Sequence, residues 1–180
     1  MSLGPQHDHA SHKFGRSLMA IAAGLVIFGG FSWFRLCLSL ALFAGYWFGA
    51  FWLLPDLDLW SVCKSRWGPL AFIWRSYSRD YRHRGSSVWE WGPSHWPLVG
   101  TLTRLLELST WIASCSFLLA IAYALGAKDP MNRISQLFEH FSHWLTIGWP
   151  FFLAAIAGIE LAALCHLWMD FTDSLSKARR

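Results

Sequence analysis

Leu36–Leu54, LCLSLALFAGYWFGAFWLL, runs 19 residues without a charge and is closed by Pro55. As a helix it rises about 28 Å, close to the roughly 30 Å of a bilayer's hydrocarbon core. Three further stretches have the same character. Ser17–Phe34 lies between Arg16 and Arg35. Leu108–Ala127 lies between Glu107 and Lys128, with a helix start expected earlier, toward Leu98. Leu145–Met169 carries Glu160 and His166 inside it. The expectation is an all-α protein, a four-transmembrane-helix bundle with spans at about 17–34, 36–54, 104–127 and 145–169, forming a single domain over 1–180. Helices 1 and 2 are expected to meet in a tight turn around Phe31 to Arg35, and helices 3 and 4 through a connection over 128–144. The first stretch lacks a clear small-residue cleavage site and a second span follows at once, so it reads as retained.

Composition agrees. Hydrophobic residues make up 54% of the chain and charged residues 14%, against about 25% in soluble domains. That excludes disorder and makes buried helices of a soluble protein a poor alternative. Cys37, Cys63, Cys115 and Cys165 are far apart and form no CxxC, so neither a disulfide framework nor a cysteine metal knot is indicated. Of the Lys and Arg residues, twelve fall in the N-terminus, the 55–107 segment and the C-terminus, and three on the other side. The positive-inside rule then makes both termini cytoplasmic in a multi-pass integral membrane protein.

Within 55–107, Pro69–Arg82 reads as a cytoplasmic amphipathic helix between helices 2 and 3. Leu70, Ile73, Trp74, Tyr77 and Tyr81 share a stripe, with Arg75, Arg79 and Arg82 off it. Such a helix suits a membrane surface or the end of the bundle. Six Trp in this segment fit an interfacial aromatic belt. The positive charge suits anionic headgroups better than nucleic acid, so membrane lipid is the expected partner and nucleic acid is not.

Imidazoles and carboxylates gather at the same side. His12 precedes helix 1, with His7, Asp8 and His9 just upstream; helix 2 ends in Pro55-Asp56-Leu57-Asp58; His83 follows the amphipathic stretch; His95 precedes helix 3; His166 and Asp170 end helix 4. His166 and Asp170 are four residues apart and share a helix face, so both can reach one cation or the carboxylate can orient the ring. Carboxylates at a membrane boundary are costly unless hydrated or paired, and a cation would pair them. Mixed imidazole and carboxylate ligation suits Zn²⁺, with Mn²⁺ or Fe²⁺ also compatible. Glu160 is an intramembrane carboxylate and therefore a functional candidate, or else a protonated, hydrogen-bonded one.

The segments LLPDLDLWSVCKSRWGPLAFIWRSY, HR, SHWPLVGT and GIELAALCHLWMD, in this order, resemble a family of small prokaryotic integral membrane proteins described as uncharacterised metal-binding proteins and related to predicted membrane-bound metal-dependent hydrolases. The resemblance covers nearly the whole chain. It implies a metal site of Asp56, Asp58, His83, His95, His166 and Asp170, joined by an N-terminal histidine, taken as His12, with His7 and His9 as alternatives; Glu160 also matches the pattern. The chain departs from that pattern in the insertion 85–93 between His83 and His95 and in Trp96 after the second of them.

Two functions follow as expectations. One is a metal-dependent hydrolase acting at the membrane surface on a lipid-like or phosphoester substrate, with Asp58 or His83 as general base and Arg84 holding an anionic group. The other is a non-catalytic membrane metal-binding or assembly protein. Polar residues through the full depth of the bilayer, which transport would need, are missing apart from Glu160, and no G-x-S-x-G, Walker A or G-x-G-x-x-G motif occurs.

Overall fold

The computed structural model describes residues 4–58, 61–81, 93–126 and 129–178, which are mostly helical with no strand among them. The α-helices are α1 (Gly4–Phe28), α2 (Trp33–Trp52), α3 (Val62–Ser65), α4 (Arg75–Asp80), α5 (Val99–Leu125) and α6 (Pro130–Ala178). Short 3₁₀ turns cover Pro55–Asp58, Gly68–Trp74 and Pro93–His95.

The first hairpin turns at Gly29–Ser32, earlier than around 31–35. Gly30 takes φ +83°, a left-handed backbone that favours glycine. Arg35, in the first turn of α2, donates to the carbonyl oxygens of Gly29 and Gly30, satisfying groups at the end of α1. Ser32 caps α2, its Oγ accepting from Arg35 N–H at 3.2 Å. The uncharged part of α1 is therefore Ser17–Phe28, about 18 Å of helix. Among the described residues, three helices are long and apolar enough to cross a membrane: Trp33–Trp52, Val99–Leu125 and Met131–Asp173 of α6.

Close packing of α2 on α6 organises the rest. A methyl group at Gly45 would collide with the Ala155 carbonyl, and one at Gly49 would stand 2.8 Å from Ile159 Cα. Gly158 answers from α6, where a side chain would strike Leu42. Small residues four apart let two helix backbones approach in this way. Phe34 meets Phe151 (ring centroids 5.5 Å apart) at one end and Gly49 meets Ile159 further on, so α2 and α6 run parallel. α1 returns antiparallel to α2, with the Tyr46 hydroxyl donating to Ser11 O at 2.9 Å. α5 runs antiparallel to α6. Leu98, at its start, bonds to Glu160, and Ala122, Tyr123 and Gly126 share a crevice with Asn132, Arg133 and Gln136.

The connection expected over 128–144 is instead helical from Pro130 onward, as the start of the 49-residue α6. No Gly or Pro lies between Met131 and Ile147, and Ile134, Leu137, Phe138, Phe141, Trp144 and Leu145 recur at helical spacing. The helix passes through Pro150 at the cost of one backbone bond.

The described residues of 55–98 close one end of the helices. The stretch expected as one amphipathic helix, Pro69–Arg82, begins as a 3₁₀ turn at Gly68 (φ +52°) and continues as α4; Arg82 lies outside the described residues. Its aromatic face points inward. Trp74 and Tyr77 are fully buried against Leu53, Leu54, Leu57, Cys63 and Ile159, whereas Leu70 stays exposed. Lys64, also buried, donates to Ser78 Oγ, and that hydroxyl reaches the Leu57 carbonyl at 3.0 Å. This packing ties the turn that carries Asp56 to α4.

Candidate metal centre

Three elements deliver the side chains. Pro55 ends α2 and starts a 3₁₀ turn, which swings Asp56 across the end of the bundle. Ser61 Oγ donates to Asp56 O at 2.9 Å and fixes that turn. His95 ends the Pro93–His95 turn just before α5. His166 lies on α6, seven residues after Ile159, which packs on α2.

Asp56 Oδ1 stands 3.4 Å from His166 Nε2 and 3.8 Å from His95 Nε2. One ligand atom from each of the three residues fits within 4.8 Å of the others. Zinc bonds of 2.0–2.1 Å in a tetrahedral arrangement separate ligand atoms by about 3.4 Å, so the three side chains stand at or somewhat wider than that spacing and could close on one cation. His95 and His166 are buried, and the Asp56 side chain is 28% exposed, making it the open edge of the cluster.

Asp170 joins through His166. Its Oδ2 lies 3.2 Å from His166 Nε2, the same nitrogen that faces Asp56. An orienting partner would sit on the other ring nitrogen. Asp170 is therefore placed as a further donor beside the cation rather than as a prop behind the ring. Burial alone would raise the Asp56 carboxyl, but the positive charge and hydrogen bond of His166, with the hydrogen bond of His95, hold it well below the usual carboxylate range.

The other expected ligands are distributed differently. His12 is exposed on α1, its ring 4.9 Å from those of both Trp47 and Phe51, and it is not brought to the cluster. Ser11 and Gly15 face α2, so the phase of α1 turns His12 to the flank. His9 is likewise exposed. Asp8 pairs with Arg66, which also bonds to Phe51 O at 3.0 Å and lies over the Phe51 ring; spacing in the sequence carries no sign of this lock between α1 and α3. His83, Arg84, residues 85–92 of the insertion and the side chain of Asp58 lie outside the described residues. Two polar residues gain roles that spacing does not show. Glu160 Oε1 accepts from Leu98 N–H at 2.9 Å, and Arg104, fully buried, donates to Thr101 Oγ1 at 3.0 Å. An arginine one turn inside an apolar helix is the signal that could have marked the second.

The described residues are helical without strand and gather imidazole and carboxylate groups at one end of the helices, an arrangement that could hold a cation. The chain belongs to a family described as uncharacterised metal-binding protein (DUF2227), whose model matches residues 3–180. It is also similar to an uncharacterised protein of Aquifex aeolicus (strain VF5), 31% identical over 135 residues, which cover 74% of this chain and 89% of the relative. No solved structure matches it.

Proposed function

We propose that this protein is a four-span integral membrane protein with both termini cytoplasmic, which binds a divalent cation, Zn²⁺ foremost, at its cytoplasmic rim and acts there as a metal-dependent hydrolase on a lipid-like or phosphoester substrate. In this reading α1 supplies the fourth crossing beside the three long apolar helices, and the family's kinship is with membrane-bound metal-dependent hydrolases. The observation that carries it is the convergence of Asp56, His95 and His166, from segments far apart in the chain, at ligand spacing.

Asp56, His95 and His166 would hold the cation, with Asp170 in reach of it. Two imidazoles and a carboxylate leave a coordination position open, the pattern of catalytic rather than structural zinc sites. A cation bound there would supply Lewis acidity toward water and toward a phosphoryl or acyl oxygen. Asp56, the exposed edge, faces the side from which substrate would come. Asp58 or His83 would take a proton, and Arg84 would hold the anionic group.

A closed, non-catalytic site is the second reading. The burial of His95, His166 and Asp170, and the placing of Asp170 on the same nitrogen as Asp56, favour it.

Metal content of detergent-purified protein tests both. Wild type is expected to hold stoichiometric metal, and Asp56→Asn and His166→Ala to lose it. Metal retained in full by both variants would remove the site. Assay of the metal-loaded wild type against phospholipids and small phosphoesters then separates the readings: turnover that disappears with the metal supports the hydrolase, and inert, fully loaded protein supports the closed site.

A further inference from the structure

Leu98 has φ +60° and ψ −53°, the one non-glycine residue with positive φ among those described. Val99 N–H donates to Pro97 O at 2.7 Å across it. That is a γ-turn of the rare, strained hand, a conformation found where surrounding structure enforces it. Apolar packing does not enforce it here, since the Leu98 side chain is 64% exposed. What holds it is polar. The Leu98 amide donates at 2.9 Å to Glu160 Oε1, 62 residues away on α6. The second oxygen, Oε2, is buried and has no hydrogen-bond partner among the described residues. The carboxylate therefore serves the amino-terminal part of α5, where the buried Arg104 guanidinium, unsatisfied N–H groups and the helix dipole favour an anion.

The strained residue is three positions after His95. Glu160 is six residues before His166 on the same helix, about 9 Å along the axis. One helix thus presents one histidine of the cluster directly and grips the turn that presents the other. We infer that Glu160 is a positioning residue for the metal centre: by clamping the γ-turn at Leu98 it sets the place of His95 opposite Asp56 and His166. This rests on reading Asp56, His95 and His166 as ligands. It goes beyond that reading, because it gives the intramembrane carboxylate a role through the backbone rather than as a ligand or proton carrier.

Cobalt(II) bound to the full-length, detergent-solubilised protein is the probe, because its visible bands report the number and kind of ligands. Glu160→Ala is expected to reproduce the spectrum of His95→Ala and to bind Co²⁺ about 10- to 100-fold more weakly than wild type, the usual scale for loss of a supporting group. The double variant His95→Ala/Glu160→Ala is expected to be no worse than either single one. Glu160→Gln keeps an oxygen acceptor for the Leu98 amide and is expected to keep the wild-type spectrum. Leu98→Gly relieves the strain and is expected to restore the wild-type bands in the Glu160→Ala background. A wild-type spectrum in Glu160→Ala, or losses that multiply in the double variant, would overturn the assignment. Should Glu160→Ala fail to fold, Glu160→Asp, one methylene shorter, takes its place with the same expectations. If wild type itself binds no Co²⁺, the metal reading fails, and amide exchange at Leu98 in the metal-free protein decides the clamp alone: faster exchange in Glu160→Ala upholds it, and unchanged exchange removes it.

Discussion

Nε2 of His166 lies between two carboxylates, 3.4 Å from Asp56 and 3.2 Å from Asp170, in a buried setting. Two negative groups around one imidazole nitrogen need positive charge, and the two differ in what they lose without it. Asp56 also faces His95, and Asp170 faces His166. Asp170→Asn is therefore expected to weaken metal binding by at least the roughly 10-fold that loss of a mere supporting group costs, while leaving one ion per chain at saturation, and calorimetric titration checks it. Acid stability reports Asp56 separately. Its carboxyl is held below the usual range in the folded protein, so its contribution is complete above the unfolded value of about 3.9 and is lost only as pH falls through the lower folded value. In metal-free protein the gap in melting temperature between wild type and Asp56→Asn should shrink as pH falls below about 4. A gap that closes near pH 6 would mean that the imidazoles, and not this carboxylate, carry the linkage. The shared face of His166 and Asp170 is legible in the sequence, since a four-residue interval on a helix fixes it. The side on which His12 lies is not legible. It depends on the rotation of α1, set by Ser11 and Gly15 meeting Tyr46, which spacing within α1 does not contain.

The fit of α2 on α6 turns on glycines that a hydropathy reading counts only as apolar. Gly45 and Gly49 lie one turn apart, and each would meet backbone atoms of α6 if it carried a side chain. Backbone cannot move aside as a rotamer can, so Gly45→Leu is expected to cost about 3 kcal/mol or more. It should also separate Asp56 from His166, since those residues extend from the same helix pair. Thermal unfolding in detergent, with metal content measured in parallel, checks both effects; Gly148→Leu, where nothing lies within 4 Å, is the control expected to be neutral. The uncharged run 36–54 places α2 to within about three residues at either end, because length and apolarity suffice for an isolated span. Other boundaries depend on chemistry between elements. Arg35 reaches back to the carbonyls of Gly29 and Gly30 and so ends α1 before the charge-free stretch does. The aromatic stripe of 69–81 is visible in the sequence as an apolar face. The break between 3₁₀ and α at Trp74 follows from tertiary packing around that fully buried ring, which periodicity does not contain.

At the scale of the molecule, the two hairpins are unequal in length. Phe34, at the start of α2, meets Phe151. The part of α6 before that contact, Pro130–Pro150, therefore projects about 30 Å beyond the α1–α2 turn, together with the facing half of α5. Phe138, Phe141, Trp144 and Leu145 are exposed on that arm, and Phe117, Leu118 and Leu119 on α5. The parallel course of α2 and α6, with α1 and α5 antiparallel to them, brings the Asp8–Arg66 pair and the His166–Asp170 pair to one end, so the described chain starts and finishes on the side of the candidate metal centre. In the proposed orientation the excess of Lys and Arg assigns that side to the cytoplasm. Reporter fusions at residue 1 and residue 180 are therefore expected to give the same cytoplasmic signal. In a background with all four cysteines replaced by serine, His140→Cys, on the exposed arm, is expected to react with a membrane-impermeant maleimide added from outside. Ser65→Cys, exposed at the end that carries the metal centre, is expected to react only after the membrane is opened. Opposite signals from the two fusions would require an odd number of crossings and remove α1 as a span. Labelling of Ser65→Cys from outside would invert the molecule and place its cation site on the other face of the membrane.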